Sequence, residues 1–311
     1  MTSSRASQAL RHAGLAVLLI ALCRTSFAAP LTLAPRMTSR PEGATETRVV
    51  RNVRYGPDLR QRFDVYAPAN AQGAPVIFMV HGGGWAFGDK AARGVAENKV
   101  ARWVPRGFVV ITANYRMLPK ADPIEQARDI ARALAVAQQR AASWGADRAR
   151  FILMGHSAGA HLVTLLATSP SLAGDLPVTP WLGVVSIESG ALDVVAVMRG
   201  RHARLYDRAF GRDTAYWRAA SPFHALAKPG PPILLVCSVR GLESCRQADR
   251  FAARAVSLGM RAAVLREDLS HADADARLGV DPAYTAGVEA FIRSLDVSLE
   301  RQLPVPAAAQ R

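Results

Sequence analysis

Gly155-His156-Ser157-Ala158-Gly159 sets a serine between two glycines. It follows the apolar run Phe151–Met154 and opens the helix-forming segment Ala158–Thr168. A strand, a sharp turn and a helix in that order make a nucleophile elbow. The flanking glycines let neighbouring backbones pass close to the turn. The serine hydroxyl is then held above the strand end, where the following helix offers the positive end of its dipole to developing negative charge. A serine hydroxyl is a weak nucleophile until a base removes its proton during attack. The chemistry expected is acyl transfer through Ser157, and the rest of the sequence must supply a base, an acid and a site for the oxyanion.

His81-Gly82-Gly83-Gly84-Trp85 closes another apolar run, Pro75–Val80. Three successive glycines cost backbone entropy, and a loop whose N–H groups converge on an oxyanion gives them a purpose. The amides of Gly83, Gly84 and Ala158 are the expected donors, with Gly82 making the turn and His81 clamping the loop. No Lys-Ser/Thr pair follows in the manner of a phosphate-binding loop. Among seven histidines, His156 and His161 flank the elbow too closely to reach the hydroxyl from a separate loop, His202 and His224 lie in or beside an aromatic-rich stretch, and His12 is N-terminal. His271 follows the last strand-like run and precedes the final helical segment, where the chain order serine, acid, histidine requires the base. The acid should lie on the loop after Pro232–Cys237. Ser238–Ser244 carries one carboxylate, Glu243, which is the expected acid; Glu188, ending the run Leu182–Ile187, is the alternative.

These residues need a frame. Strand-like runs occur at Thr47–Tyr55, Gln61–Tyr66, Pro75–Val80, Gly107–Ala113, Phe151–Met154, Leu182–Ile187, Pro232–Cys237 and Ala262–Arg266. Helical spacing begins at Asp122-Pro123, a capping residue before a first-turn proline, and recurs at Ala158–Thr168, Cys245–Leu258 and Tyr284–Leu295. Alternation of near-continuous apolar strands with helices predicts an α/β fold, a mostly parallel eight-stranded sheet with helices on both faces. Asp193–Ala227 is too long for a plain crossover and reads as a short helical, lid-like insertion over 193–227. The domain is expected to span 47–298, between a loose lead-in at 29–46 and a flexible tail at 299–311.

The composition is that of a globular chain: 311 residues, half of them hydrophobic and 21% charged, which excludes collagenous and wholly disordered classes. The formal net charge is +14, from 39 Lys and Arg against 25 Asp and Glu. The cations are scattered, with no run of five and no aromatic-interleaved basic motif, so nucleic acid is not an expected partner. Residues 1–28 carry the parts of an export signal: Arg5 and Arg11, the apolar stretch Ala13–Cys23, and Ser26-Phe27-Ala28 before a cut at Ala29. The apolar stretch is too short to cross a bilayer, so export to the periplasm or medium without stable membrane insertion is expected. Removal of Cys23 leaves Cys237 and Cys245, an even pair that reads as a disulfide in an oxidising compartment. No cofactor or metal is implied, since no His/Cys/Asp cluster shows ligand spacing.

HGGGW and GHSAG together resemble the α/β-hydrolase superfamily, and within it the carboxylesterases related to hormone-sensitive lipase. Ala113-Asn114-Tyr115-Arg116, GHSAGAHL over 155–162 and Ser221-Pro222 are similar to framework segments of that family. Trp85 and GHSAGAHL are also similar to kynurenine formamidases and to feruloyl or acetyl esterases. The resemblance runs from about Tyr55 to Leu295. It departs at the acid loop, where Cys237-Ser238 with Glu243 replaces the usual His-Gly and Asp, and the extended N-terminal cap is missing. The resemblance implies a serine hydrolase that cleaves carboxylic esters of small to medium acyl groups through an acyl-enzyme. An arylformamidase-like amidase and a catalytically decayed binding module are the alternatives.

Overall fold

The computed structural model describes residues 46–304, and eight strands within them form one sheet. They are β1 (Thr47–Arg54), β2 (Arg62–Pro68), β3 (Ala74–Val80), β4 (Val109–Ala113), β5 (Ala146–His156), β6 (Gly183–Ile187), β7 (Ile233–Ser238) and β8 (Ala262–Glu267). Their order across the sheet is β1-β2-β4-β3-β5-β6-β7-β8. β2 runs antiparallel to β1 and β4, and every other pairing is parallel. Fold class and strand count are those expected from the sequence.

Strand side chains alternate between two covered faces. In β3, Val76, Phe78 and Val80 enter one apolar core while Ile77 and Met79 enter the other, the period of two that places successive residues on opposite faces. The first core is closed by Ile130 and Leu134 of α2 (Pro123–Arg140), Leu162 and Leu166 of α3 (Ala158–Thr168) and Phe251 of α8 (Leu242–Ser257). The second is closed by Trp103 of α1 (Arg93–Trp103) and by Val288 and Ile292 of α10 (Pro282–Arg293). α2 starts where its cap predicts: the Asp122 carboxylate accepts from the amides of Ile124 and Glu125, with Pro123 as first helical residue.

The 193–227 stretch contains four short helices, α4 (Val194–Arg199), α5 (Arg204–Phe210), α6 (Thr214–Ala219) and α7 (Pro222–Ala225). A further short helix, α9 (His271–Ala276), follows β8. The sequence periodicity did not reveal α1, because its inward face carries a charge: Val95, Ala96, Lys99 and Trp103 are the buried residues. The tail boundary also moves. Leu299 and Leu303 are fully buried in the second core, so the domain continues past residue 298. The export signal, nearly all of the lead-in and the last seven residues of the tail lie outside the described residues. No helix among the described residues is long and apolar enough to cross a membrane.

Candidate active site

Strand register brings the chemistry together. Val80 pairs with Gly155, His156 with Ile187, and Ile187 with Val236. The HGGGW loop, the serine turn, Glu188 and Ser238 therefore leave the carboxyl ends of adjacent parallel strands side by side, the edge where open α/β sheets bind ligands. Ser157 has φ +53° and ψ −117°, a conformation that costs a non-glycine residue roughly 1–3 kcal/mol. Its amide donates to Ile187 O at 2.8 Å. The tightness of the turn explains Gly159: a Cβ there would lie 2.3 Å from Val80 O.

His271 arrives from the far side of β8. The Ser238 hydroxyl donates to Leu269 O at 2.5 Å, tying the loop down, and Ser270 caps α9 by accepting from the Asp273 amide at 3.1 Å. His271 is thus the first residue of α9, and its Nε2 lies 3.0 Å from Ser157 Oγ. Nδ1 faces Glu188, 3.7 Å from Oε1. These partners select the tautomer with the proton on Nδ1, leaving Nε2 to accept from the serine. The separation from Glu188 exceeds a hydrogen bond, as is common before substrate tightens such contacts.

Glu188 is 5% exposed, and its Oε2 accepts from the Ser238 amide at 2.5 Å. Burial pushes its carboxyl up, but His271, the Ser238 amide and Ser244 outweigh burial and leave it below the ordinary glutamate range. Glu188 is therefore ready to remain ionised beside the ring.

Glu243, the acid expected from the sequence, does not meet His271. It lies in the first turn of α8, its side chain half exposed, held by Arg246 and by Gln247 Nε2 at 3.0 Å. The reason is local: the chain after β7 turns into helix at Leu242, so the carboxylate follows the outer face of α8. The Cys237–Cys245 disulfide is present. It ties the end of β7 to the start of α8, next to Ser238, so it braces the residue that holds Glu188 and Leu269 rather than Glu243.

Gly83, Gly84, Trp85, Ser157, Ala158 and His271 line a cavity of about 340 Å³, together with Leu205 and Tyr206 of α5. Gly83 O accepts from the amides of Ala86 and Phe87. That turn requires φ +118°, and a Cβ would lie 2.1 Å from Phe87 O, so no other residue fits without moving the loop. His81 stands behind it. Its Nδ1–H donates to Gly82 O at 2.7 Å and its ring stacks on Tyr115 at 4.5 Å. Burial lowers its pKa to about 4, which keeps it neutral.

Trp85 joins the glycine loop to the 193–227 stretch. Its indole N–H donates to His161 Nδ1 at 3.2 Å, and His161 Nε2–H donates to Ala220 O at 2.7 Å. The Phe210 ring packs on Trp85 at 4.9 Å. His156, which the sequence placed merely beside the elbow, donates from Nε2 to the carbonyl of His271 at 2.8 Å; spacing alone gave no sign of that contact. Among the described residues no group of His, Cys, Asp and Glu could hold a metal ion.

Known proteins resemble this chain over part of its length. The chain is 33% identical over 138 residues to a probable isoprenylcysteine alpha-carbonyl methylesterase, ICMEL1, of Oryza sativa subsp. japonica, covering 43% of this chain and 32% of that protein. It is 29% identical over 209 residues to Esterase LipC of Mycobacterium tuberculosis, covering 60% and 49% respectively. The chain thus spans less than half the length of these curated relatives. A truncated carbohydrate esterase from gut microbiota superposes with a TM-score of 0.69 at 18% identity, over 81% of this chain and 97% of that one, which shows the fold. Residues 63–238, more than half of the chain, match the BD-FAE family. With its eight-stranded sheet and strand-end serine turn, the chain belongs to the BD-FAE family of α/β-hydrolases.

Proposed function

We propose that this protein is a serine carboxylesterase acting on esters of small to medium acyl groups. The observation that carries the reading is the 3.0 Å approach of His271 Nε2 to Ser157 Oγ, with the buried Glu188 carboxylate on the other side of the ring. Ser157 Oγ attacks the ester carbonyl carbon as His271 Nε2 takes its proton, and Glu188 stabilises the imidazolium. The amides of Gly83, Gly84 and Ala158 receive the oxyanion. Collapse breaks the bond to the alkoxy oxygen, which leaves as the alcohol carrying the proton from Nε2. Water then gives a proton to Nε2, attacks the acyl-enzyme, and releases the carboxylic acid with Ser157 restored.

The four short helices of 193–227 act as the lid that walls the cavity through Leu205 and Tyr206. The residue pattern before Ala29 and the Cys237–Cys245 disulfide support export to an oxidising compartment. The test pairs a fluorophosphonate probe with a p-nitrophenyl ester series from acetate to octanoate. Ser157 should be the labelled residue, Ser157→Ala should hydrolyse nothing, and kcat/KM should fall beyond medium chain lengths. N-formylkynurenine turned over faster than any ester would move the assignment to an amidase. Absence of both labelling and turnover would refute catalysis.

A further inference from the structure

One buried group of titratable side chains lies behind the base and has no part in the acyl-transfer steps. Lys99 of α1 is completely buried. Its ammonium donates to Asp275 Oδ1 at 2.6 Å, to Gly94 O at 2.6 Å, and to the Asp275 carbonyl. Asp275 lies one helical turn after His271 on α9, so the two share a face. The other carboxylate oxygen of Asp275 is 3.9 Å from His156 Nδ1. His156 in turn donates to the carbonyl of His271 at 2.8 Å, and the two rings are 4.8 Å apart.

We propose that Lys99, Asp275 and His156 are a positioning cluster for the base: Lys99 anchors α9 through Asp275, and His156 pins the main chain of His271 so that Nε2 points at Ser157. The inference rests on the assignment of His271 as base. α9 has only six residues and hangs from a loop, so its own hydrogen bonds cannot fix the direction of its first side chain. A buried ion pair adds little net stability over an apolar pair of the same shape. What it does supply here is a fixed distance between α1 and α9.

The cluster also sets charge. The groups facing His156 are Asp275 and His271 from α9 and Lys99 from α1. Burial is the main reason the His156 pKa lies below the ordinary histidine value, and Lys99 adds to it against the pull of Asp275. Burial keeps His156 neutral, and the Lys99 charge beside Asp275 reinforces that next to a ring that must itself become cationic during attack.

The test compares His156→Leu, which has no donor, with His156→Gln, whose amide can still donate. Ångström-scale misplacement of a catalytic group costs on the order of 10²-fold. His156→Leu should therefore lose about 10²-fold in kcat with KM within threefold, and His156→Gln should recover at least tenfold of that. Lys99→Met should move the acid limb of the kcat/KM profile to higher pH by about half a unit or more, since Asp275 then favours protonated His156. Lys99→Met/Asp275→Asn should return the limb to its wild-type position. A merely structural cluster would lower activity at every pH alike and would not separate Gln from Leu. Wild-type kcat in His156→Leu, or equal losses in the Leu and Gln variants, overturns the proposal. An unmoved acid limb in a folded Lys99→Met variant overturns its electrostatic half. Ser157→Ala serves as the independent control: residual turnover there would mean instead that the underlying catalytic assignment had failed.

Discussion

Glu188→Gln is the most informative single perturbation, because it separates the two carboxylates that compete for one role. The glutamine can keep the contact with the Ser238 amide, which now runs to Glu188 Oε2 at 2.5 Å, so the buried side chain retains a partner and the fold should survive. Its other end then presents an amide N–H₂ to His271 Nδ1. That favours the tautomer with the proton on Nε2, which cannot accept from Ser157. Replacing a triad carboxylate by its amide costs up to about 10⁴ in kcat. The 3.7 Å separation argues for the range 10³–10⁴, or roughly 4–5.5 kcal/mol of transition-state stabilisation. Glu243→Gln removes a half-exposed carboxylate paired with Arg246, and should change kcat by less than about twofold and stability by less than about 0.5 kcal/mol. The assay is steady-state hydrolysis of p-nitrophenyl acetate at pH 8 beside the rate of fluorophosphonate labelling, with urea denaturation to show that both variants are folded. A Glu188→Gln enzyme within tenfold of wild type, or a Glu243→Gln enzyme reduced 10³-fold, would refute the assignment.

Three further outcomes follow from the geometry. Gly83→Ala must shift the loop, because its Cβ would meet Phe87 O at 2.1 Å; kcat should fall about 10²–10³-fold with KM little changed, read by steady-state kinetics. His81 and His161 are both held near a pKa of about 4 by burial, so the unfolded chain takes up protons that the folded one refuses. Their contribution to stability is complete above pH 6.5 and is lost as pH falls toward 4, so the urea midpoint should drop across that window, and less steeply in His161→Gln. Replacing Cys237 and Cys245 together by alanine should cost about 2.5 kcal/mol on the chain-entropy account, measured by urea denaturation, with a several-fold loss of kcat as Ser238 loosens its hold on Glu188 and Leu269.

The serine turn and the glycine loop were legible in the sequence because each needs residue types that nothing else there would explain. A glycine whose added Cβ would lie 2.3 Å from a neighbouring carbonyl oxygen is a steric necessity that survives in the one-dimensional pattern. The proposed acid was not legible in the same way. Glu188 and Glu243 both follow strands of the parallel sheet, and the choice depends on where the loop bearing His271 comes to rest. The Ser238 hydroxyl on Leu269 O ties that loop to the end of β7, where the Ser238 amide also holds Glu188, and α8 begins early enough to carry Glu243 outward. α1 escaped for a different reason, since a helix whose inward face includes Lys99 breaks the apolar period on which such readings depend. The contact of His156 with the His271 carbonyl spans 115 positions in the chain and leaves no local trace.

The indole–imidazole–carbonyl chain from Trp85 through His161 to Ala220 has a consequence for anyone reshaping the pocket. Exchanging the helices over 193–227 to admit a different ester would also cut the tether that holds the glycine-rich loop, whose amides are the proposed oxyanion donors. On the proposed function, selectivity and turnover are therefore mechanically linked. A graft that preserves Phe210 and the Ala220 carbonyl should retarget the site while keeping its rate, whereas one that discards them should bind new esters and process them slowly.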